Sequence, residues 1–245
     1  MQSSAKKLIF YLLVTILSSC GHSNSHINAT QNILQEAKRS FVKIEVSVWG
    51  TACQTLEDGV TECIKNKLGG AWGSGSIILN KGNKVILTVA HVCRQMQLDH
   101  MATLLGDDIQ YDYIASVEGN DWDKYEVVPL KLDEKNDICI MEGKDLDGPP
   151  LRISNKRPSY GEKIFTLASP GGLAENGMIP IFEGRFLGTL DSRDFYSVPA
   201  MGGSSGSPLL NRKGEIVGVT HSVYAFFHHV SVSATFEDLW KFLLL

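Results

Sequence analysis

From Phe41 onward the chain is cut into short runs of strand-forming residues, and that punctuation is what most restricts its fold. Phe41–Trp49 (FVKIEVSVW) alternates apolar and polar side chains, the period-two pattern of a half-buried strand. Comparable runs recur at Gly75–Leu79, Lys84–Val89, Ile109–Gly119, Lys124–Leu132, Asp137–Glu142, Lys163–Ala168, Ile179–Leu190, Phe195–Val198, Glu215–Val219 and His228–Ser233, with Gly, Asn, Asp and Pro between them. So many short strands predict an all-β architecture, either a sandwich or a pair of barrels. Two segments depart from the pattern. Asn32–Ser40 spaces Ile33, Leu34 and Ala37 for one face of a short helix. Thr235–Leu245 predicts a C-terminal helix, with Thr235 as cap, Asp238 three residues on, and Leu239, Trp240, Phe242 and Leu243 toward the core. The 245 residues allow one or two domains. With 23 basic and 27 acidic residues the net charge is −4, so the chain exerts no global pull on nucleic acid.

The N-terminus reads as an address. Lys6 and Lys7 precede the apolar run Leu8–Leu17, which is shorter than the ~20 residues a spanning helix needs. Leu17-Ser18-Ser19-Cys20 resembles the bacterial lipobox, whose cysteine is lipidated and becomes the new N-terminus. The expected organisation is therefore a signal peptide over 1–19, a flexible tether over 20–31 and a folded domain over 32–245 with an internal boundary near 145–160. The expected location is exported and membrane-anchored through the Cys20 lipid. Gly21, in place of an aspartate, leans the anchor toward an outer membrane or the cell surface. Of the five cysteines, Cys20 is then spoken for, and Cys53, Cys63, Cys93 and Cys139 permit three pairings. Cys53 and Cys63 flank QTLEDGVTE and are expected to bridge a hairpin. Cys93 and Cys139 either pair or remain buried thiols. No Cys/His spacing matches a zinc site, so neither a metal nor a cofactor is expected.

Three stretches carry chemistry together: Leu87–Cys93 (LTVAHVC), Asn136–Ile140 (NDICI) and Gly202–Pro208 (GGSSGSP). A serine hydroxyl is almost fully protonated at neutral pH, so it needs a base to take its proton and a carboxylate to orient that base. Glycines beside the serine let backbone N–H groups converge on a substrate oxygen. His91, Asp137 and Ser205 supply the three groups. In this conjunction the chain resembles the chymotrypsin-fold (trypsin-like) serine proteases, nearer the bacterial HtrA and glutamyl-endopeptidase groups. The resemblance rests on Thr88-Val89-Ala90-His91-Val92-Cys93, Asp137-Ile138-Cys139-Ile140 and Gly203-Ser204-Ser205-Gly206-Ser207-Pro208, in that order. Gly73–Ile78, Ala168–Gly172 and Asn211–Val219 extend it over roughly Asn32–Leu245. It implies two six-stranded antiparallel β-barrels with a C-terminal helix. It also implies a serine endopeptidase acting on protein or peptide, with a catalytic triad of His91, Asp137 and Ser205 and an oxyanion hole of the Gly203 and Ser205 N–H groups.

The departures carry information too. Ser204 stands where trypsin has the aspartate that pairs with a freed N-terminus, so no trypsin-style zymogen switch is expected. The stretches that line the specificity pocket in the fold correspond to Pro199, Thr220, His221 and Ser222. None is a carboxylate, which argues against a Lys/Arg preference. His221 resembles the histidine with which glutamyl endopeptidases hold an acidic side chain, but stands one residue out of place. A catalytically silent protease-fold binding module, or a surface adhesin, is the alternative reading.

Overall fold

The computed structural model describes residues 30–94, 108–117, 122–225 and 227–244. The expected signal peptide, Cys20 and nearly all of the expected tether lie outside these. Residues 30–40 form a helix, α1, which leads into the first strand. From Ala37 onward the chain is one compact unit.

The strands are β1 (Phe41–Thr55), β2 (Thr61–Asn80), β3 (Asn83–Thr88), β4 (Asp108–Val117), β5 (Asp123–Asp133) and β6 (Ile138–Gly143), then β7 (Lys163–Leu167), β8 (Ile181–Leu190), β9 (Arg193–Tyr196), β10 (Pro208–Leu210), β11 (Ile216–Tyr224) and β12 (Phe227–Ala234). The first six close into an antiparallel barrel in the order β1-β2-β3-β6-β5-β4, and the second six repeat that order as β7-β8-β9-β12-β11-β10. The expected pair of six-stranded barrels is what forms. Closure removes sheet edges that would otherwise present unpaired amides. Continuous buried runs, not simple alternation, mark the inner parts of β2, β3 and β6; Phe41, Ile44, Ile77, Ile86, Ile140 and Met141 are fully buried in the first barrel. Ile164, Phe186, Tyr196, Val198, Leu209 and Val217 form the core of the second.

The barrels are joined by residues 144–162, the segment that contains the expected boundary. It is stitched to both sides: Leu151 N–H donates to Ile77 O (2.8 Å), and Ile216 N–H donates to Arg152 O (2.8 Å). Helix α3 (Phe236–Leu244) closes the chain. Its start is a reciprocal cap, since Asp238 N–H donates to Thr235 Oγ1 (3.1 Å) and Thr235 Oγ1 donates to Asp238 Oδ2 (2.6 Å). Leu239 and Phe242 are buried, and Trp240 Nε1 donates to Ser154 O at 2.7 Å.

β1 and β2 run past their expected ends. They pair from Phe41↔Ser76 out to Thr55↔Thr61, forming an exposed ribbon turned at Leu56–Val60. Cys53 and Cys63 stand directly opposite and are disulfide-bonded. The ribbon shows no apolar alternation because its outer part covers no core, so periodicity could not reveal it.

Candidate active site

His91 and Asp137, the candidate base and orienter, come from adjacent elements of the first barrel. After β3 the chain makes a single helical turn, α2 (Ala90–Cys93), in which Ala90, Val92 and Cys93 are buried. The His91 side chain is left 44% exposed at the surface. Asp137 closes the turn between β5 and β6 at φ 55°, a left-handed conformation that a short polar side chain tolerates. Asp133 shapes this turn by accepting from Asn136 N–H (3.1 Å) and Asn136 Nδ2 (2.8 Å). Both Asp137 oxygens are used: Oδ1 accepts the His91 backbone N–H at 2.9 Å, and Oδ2 lies 2.8 Å from His91 Nδ1. A carboxylate on Nδ1 places the ring proton there and leaves Nε2 as an acceptor. Burial pushes the Asp137 pKa up, but the hydrogen bond and charge of His91 and its backbone N–H outweigh that and hold it below the ordinary carboxylate value. A second disulfide, Cys93–Cys139, runs alongside the pair, each cysteine two residues beyond His91 or Asp137.

The serine lies on a tight loop of the second barrel. Ser204 N–H donates to Met201 O (2.8 Å) and Ser207 N–H to Ser204 O (3.0 Å). Gly203 and Gly206 both sit at φ 92°. A Cβ on Gly203 would stand 2.2 Å from Ser169 O, and one on Gly206 would stand 1.8 Å from Ser74 O. The glycines are therefore required by left-handed backbone and close approach together. Among the described residues, the N–H groups of Gly203 and Ser205 have no protein acceptor. No hydrogen bond joins Ser205 Oγ to His91 there, a looseness common in unliganded sites.

Ser74, within the first barrel's β2, ties the two halves together. Its N–H donates to Ser205 O (2.7 Å), its hydroxyl donates to Gly203 O (2.8 Å) and accepts from Ser169 N–H (3.0 Å), and its carbonyl accepts from Thr88 Oγ1 (2.7 Å). Sequence inspection picks out Gly73-Ser74-Gly75 only as a flanking likeness. The flanking glycines are the signal: a Cβ on Gly73 would meet Val92, beside the base, at 2.8 Å and Ser205 O at 3.4 Å.

A cleft of about 310 Å³ opens beside Ser205, with Met201, Ser204, Thr220, Ser222 and His228 on its walls. Of the expected pocket residues, Thr220 and Ser222 line it. Pro199 lies in an adjoining, more apolar groove with Pro170 and Phe182. His221 does not line the cleft. The β11–β12 register shifts between Thr220 and Ser222, and His221, at that irregularity, has its Nδ1 3.9 Å from Asp137 Oδ2. Burial lowers its pKa to about 4, against the opposing pull of the Asp137 charge. The imidazole that does reach the cleft is His228, from the neighbouring β12.

Paired antiparallel barrels, a histidine–aspartate couple on one and a glycine-framed serine on the other, define a chymotrypsin-fold protease domain. The family described as "Trypsin-like peptidase domain" matches residues 73–219, and the chain belongs to that family. Among curated proteins, Xenopus laevis serine protease HTRA1 is 29% identical over 167 residues, covering 63% of this chain and 32% of the relative. A Chlamydia pneumoniae protein named as a probable periplasmic DegP-like serine endoprotease is 27% identical over 110 residues, covering 42% and 22%. The alignments thus span a third or less of those relatives' length. Among solved structures, a Mycobacterium tuberculosis protease in its active form superposes with a TM-score of 0.61 at 18% identity, covering 86% of this chain and 82% of its own. A Yersinia pestis serine endoprotease gives 0.59 at 18% identity, covering 86% and 64%.

Proposed function

We propose that the chain is a serine endopeptidase acting through Ser205, His91 and Asp137. The observation that carries the reading is the Asp137 carboxylate held by both His91 N–H groups, on a chain whose serine loop leaves two N–H groups open. Ser205 Oγ attacks the peptide carbonyl carbon and its proton passes to His91 Nε2. Negative charge collects on the carbonyl oxygen, which the Gly203 and Ser205 N–H groups receive. The C–N bond then breaks as His91 returns the proton to the departing amine, leaving an acyl ester on Ser205. Water attacks the ester, loses its proton to His91, and the carboxylic acid leaves as Ser205 is reprotonated. Asp137 stays ionised throughout and steadies the imidazolium. The cleft with Thr220 and Ser222 takes the side chain preceding the cleaved bond. A fluorophosphonate probe should label the wild type and not Ser205→Ala; an unlabelled wild type overturns the reading.

The same proposal includes export and a lipid anchor at Cys20. Two disulfides fit an oxidising compartment, and one relative is named periplasmic. Each buried CH₂ of an acyl chain adds roughly 0.8 kcal/mol to membrane attachment. A Cys20→Ser chain should be soluble and lighter by the lipid; one that stays membrane-bound at unchanged mass rules the anchor out.

A further inference from the structure

The three-residue scheme makes no use of Lys43, a half-buried lysine on the wall that the first barrel turns toward the second. It lies on β1 with its side chain 13% exposed. Its Nζ reaches across to the second barrel and donates to Ala174 O at 3.1 Å and to Glu175 Oε1 at 3.3 Å. In the β1–β2 ladder Lys43 stands directly opposite Ser74, so the two side chains share one face of the sheet. Ser74 Oγ accepts from Ser169 N–H (3.0 Å) and donates to Gly203 O (2.8 Å). These neighbours therefore grip the two ends of one turn, Ser74 at Ser169 and Lys43 at Ala174. Between the ends the turn is folded on itself. Gly172 N–H donates to Ser169 O (3.0 Å), Leu173 N–H to Pro170 O (2.9 Å) and Ala174 N–H to Gly172 O (2.9 Å).

The turn is the wall behind the serine loop. A Cβ on Gly203 would meet Gly171 N at 3.0 Å and Gly172 N at 3.2 Å, and Gly171 N–H donates to Gly202 O at 2.6 Å. In a planar trans peptide the C=O and N–H point in opposite directions. Pinning Gly202 O toward the turn therefore aims the Gly203 N–H away from it. If the turn slackens, that peptide can rotate and the donor leaves the place where charge develops. We propose that Lys43 is a positioning residue for the oxyanion donor, an inter-barrel strut that holds the 169–174 turn against Gly202 and so keeps the Gly203 N–H aimed at the substrate carbonyl. An ammonium suits the task, since its three donors serve a backbone carbonyl and a carboxylate at once. Lys38 adds a hold further along, from Nζ to Gly177 O at 3.2 Å. Lys43 touches no substrate atom and acts only through the turn.

The inference rests on the proposed protease reading, and the test separates the two. Lys43→Met keeps an unbranched stem and removes the donors, and Lys43→Arg restores N–H donors. Rates are taken per active site titrated with the fluorophosphonate probe, so unfolded protein does not count. On a peptide that the wild type cleaves, the Met variant should lose about tenfold in kcat, part of the roughly 10²–10³ lost when an oxyanion donor is removed outright, with KM within about twofold. A peptide aldehyde of the same sequence forms a hemiacetal whose oxygen occupies the oxyanion position, so its Ki should rise about tenfold as well. The acid limb of the kcat/KM profile should stay in place, because the His91–Asp137 pair is untouched. The Arg variant should return kcat to within about threefold of wild type. In the wild type, the Gly171 amide should exchange with solvent at least about 100-fold more slowly than an open amide, a readout that stands even if the Met variant fails to fold. A folded Met variant with wild-type kcat and aldehyde Ki overturns the proposal, as does a shifted acid limb or an unprotected Gly171 amide. A wild type that neither labels nor cleaves overturns the protease reading and this one with it, an outcome distinct from an active enzyme indifferent to residue 43.

Discussion

The Cys93–Cys139 bridge makes the sharpest stability prediction, because it joins the segments that carry His91 and Asp137. The two cysteines are 46 residues apart in sequence, whereas Cys53 and Cys63 are 10 apart. In the chain-entropy model, closing those loops restrains the unfolded chain by ~4 and ~3 kcal/mol respectively. Location widens the gap. Cys93 and Cys139 are almost fully buried, so the barrel cannot unfold without releasing that loop. The Cys53–Cys63 ribbon is exposed, and its tip can fray while both barrels stay closed. Urea denaturation of Cys93→Ala/Cys139→Ala should therefore show a loss of roughly 4 kcal/mol, and Cys53→Ala/Cys63→Ala a loss below about 2 kcal/mol. Fluorophosphonate labelling of the folded Cys93/Cys139 variant should persist, since the two hydrogen bonds from His91 to Asp137 remain. A Cys93/Cys139 variant within about 1 kcal/mol of wild type, or a larger loss from the ribbon pair, refutes this reasoning.

Ser74→Ala removes a buried hydroxyl that serves Gly203 O and Ser169 N–H; leaving those groups unmatched should cost about 1–3 kcal/mol in urea unfolding and lower the rate of probe labelling. Asp137→Asn should fold but lose on the order of 10⁴ in kcat, measured on a cleaved peptide, because the amide cannot hold the His91 tautomer. The His221 pKa is lowered in the folded chain, from 6.5 to about 4, so the unfolded chain binds the extra proton and stability must fall as pH drops between those values. The linkage amounts to about 3 kcal/mol by pH 4, visible as a pH-dependent urea midpoint that His221→Phe flattens. With no carboxylate on the cleft walls, a peptide library should show no preference for Lys or Arg before the cleaved bond.

The division between what could and could not be read in the sequence follows the physics of burial. Strands whose inner face meets a core must alternate or run apolar, so Phe41–Trp49 and most later strands were legible. The catalytic candidates were legible for a related reason. A left-handed loop pressed against Ser74 O and Ser169 O leaves only glycine at 203 and 206, so the local motif is dictated by sterics. The pairing of Cys93 with Cys139 was not legible, because it depends on α2 folding back beside β6, a long-range contact that no local pattern encodes. The strand length beyond Trp49 was not legible from periodicity, because the ribbon's outer part faces solvent; the Cys53–Cys63 spacing alone pointed to a hairpin there. His221 is the instructive miss. Its distance from the serine suggested a pocket wall, yet the ladder slips register between Thr220 and Ser222, and residue 221 sits at that irregularity. There it meets Asp137, while the imidazole that reaches the cleft comes from His228 on the paired strand β12. Counting residues from a motif gives a position along the chain, but the face of the strand decides which chemistry a side chain can join.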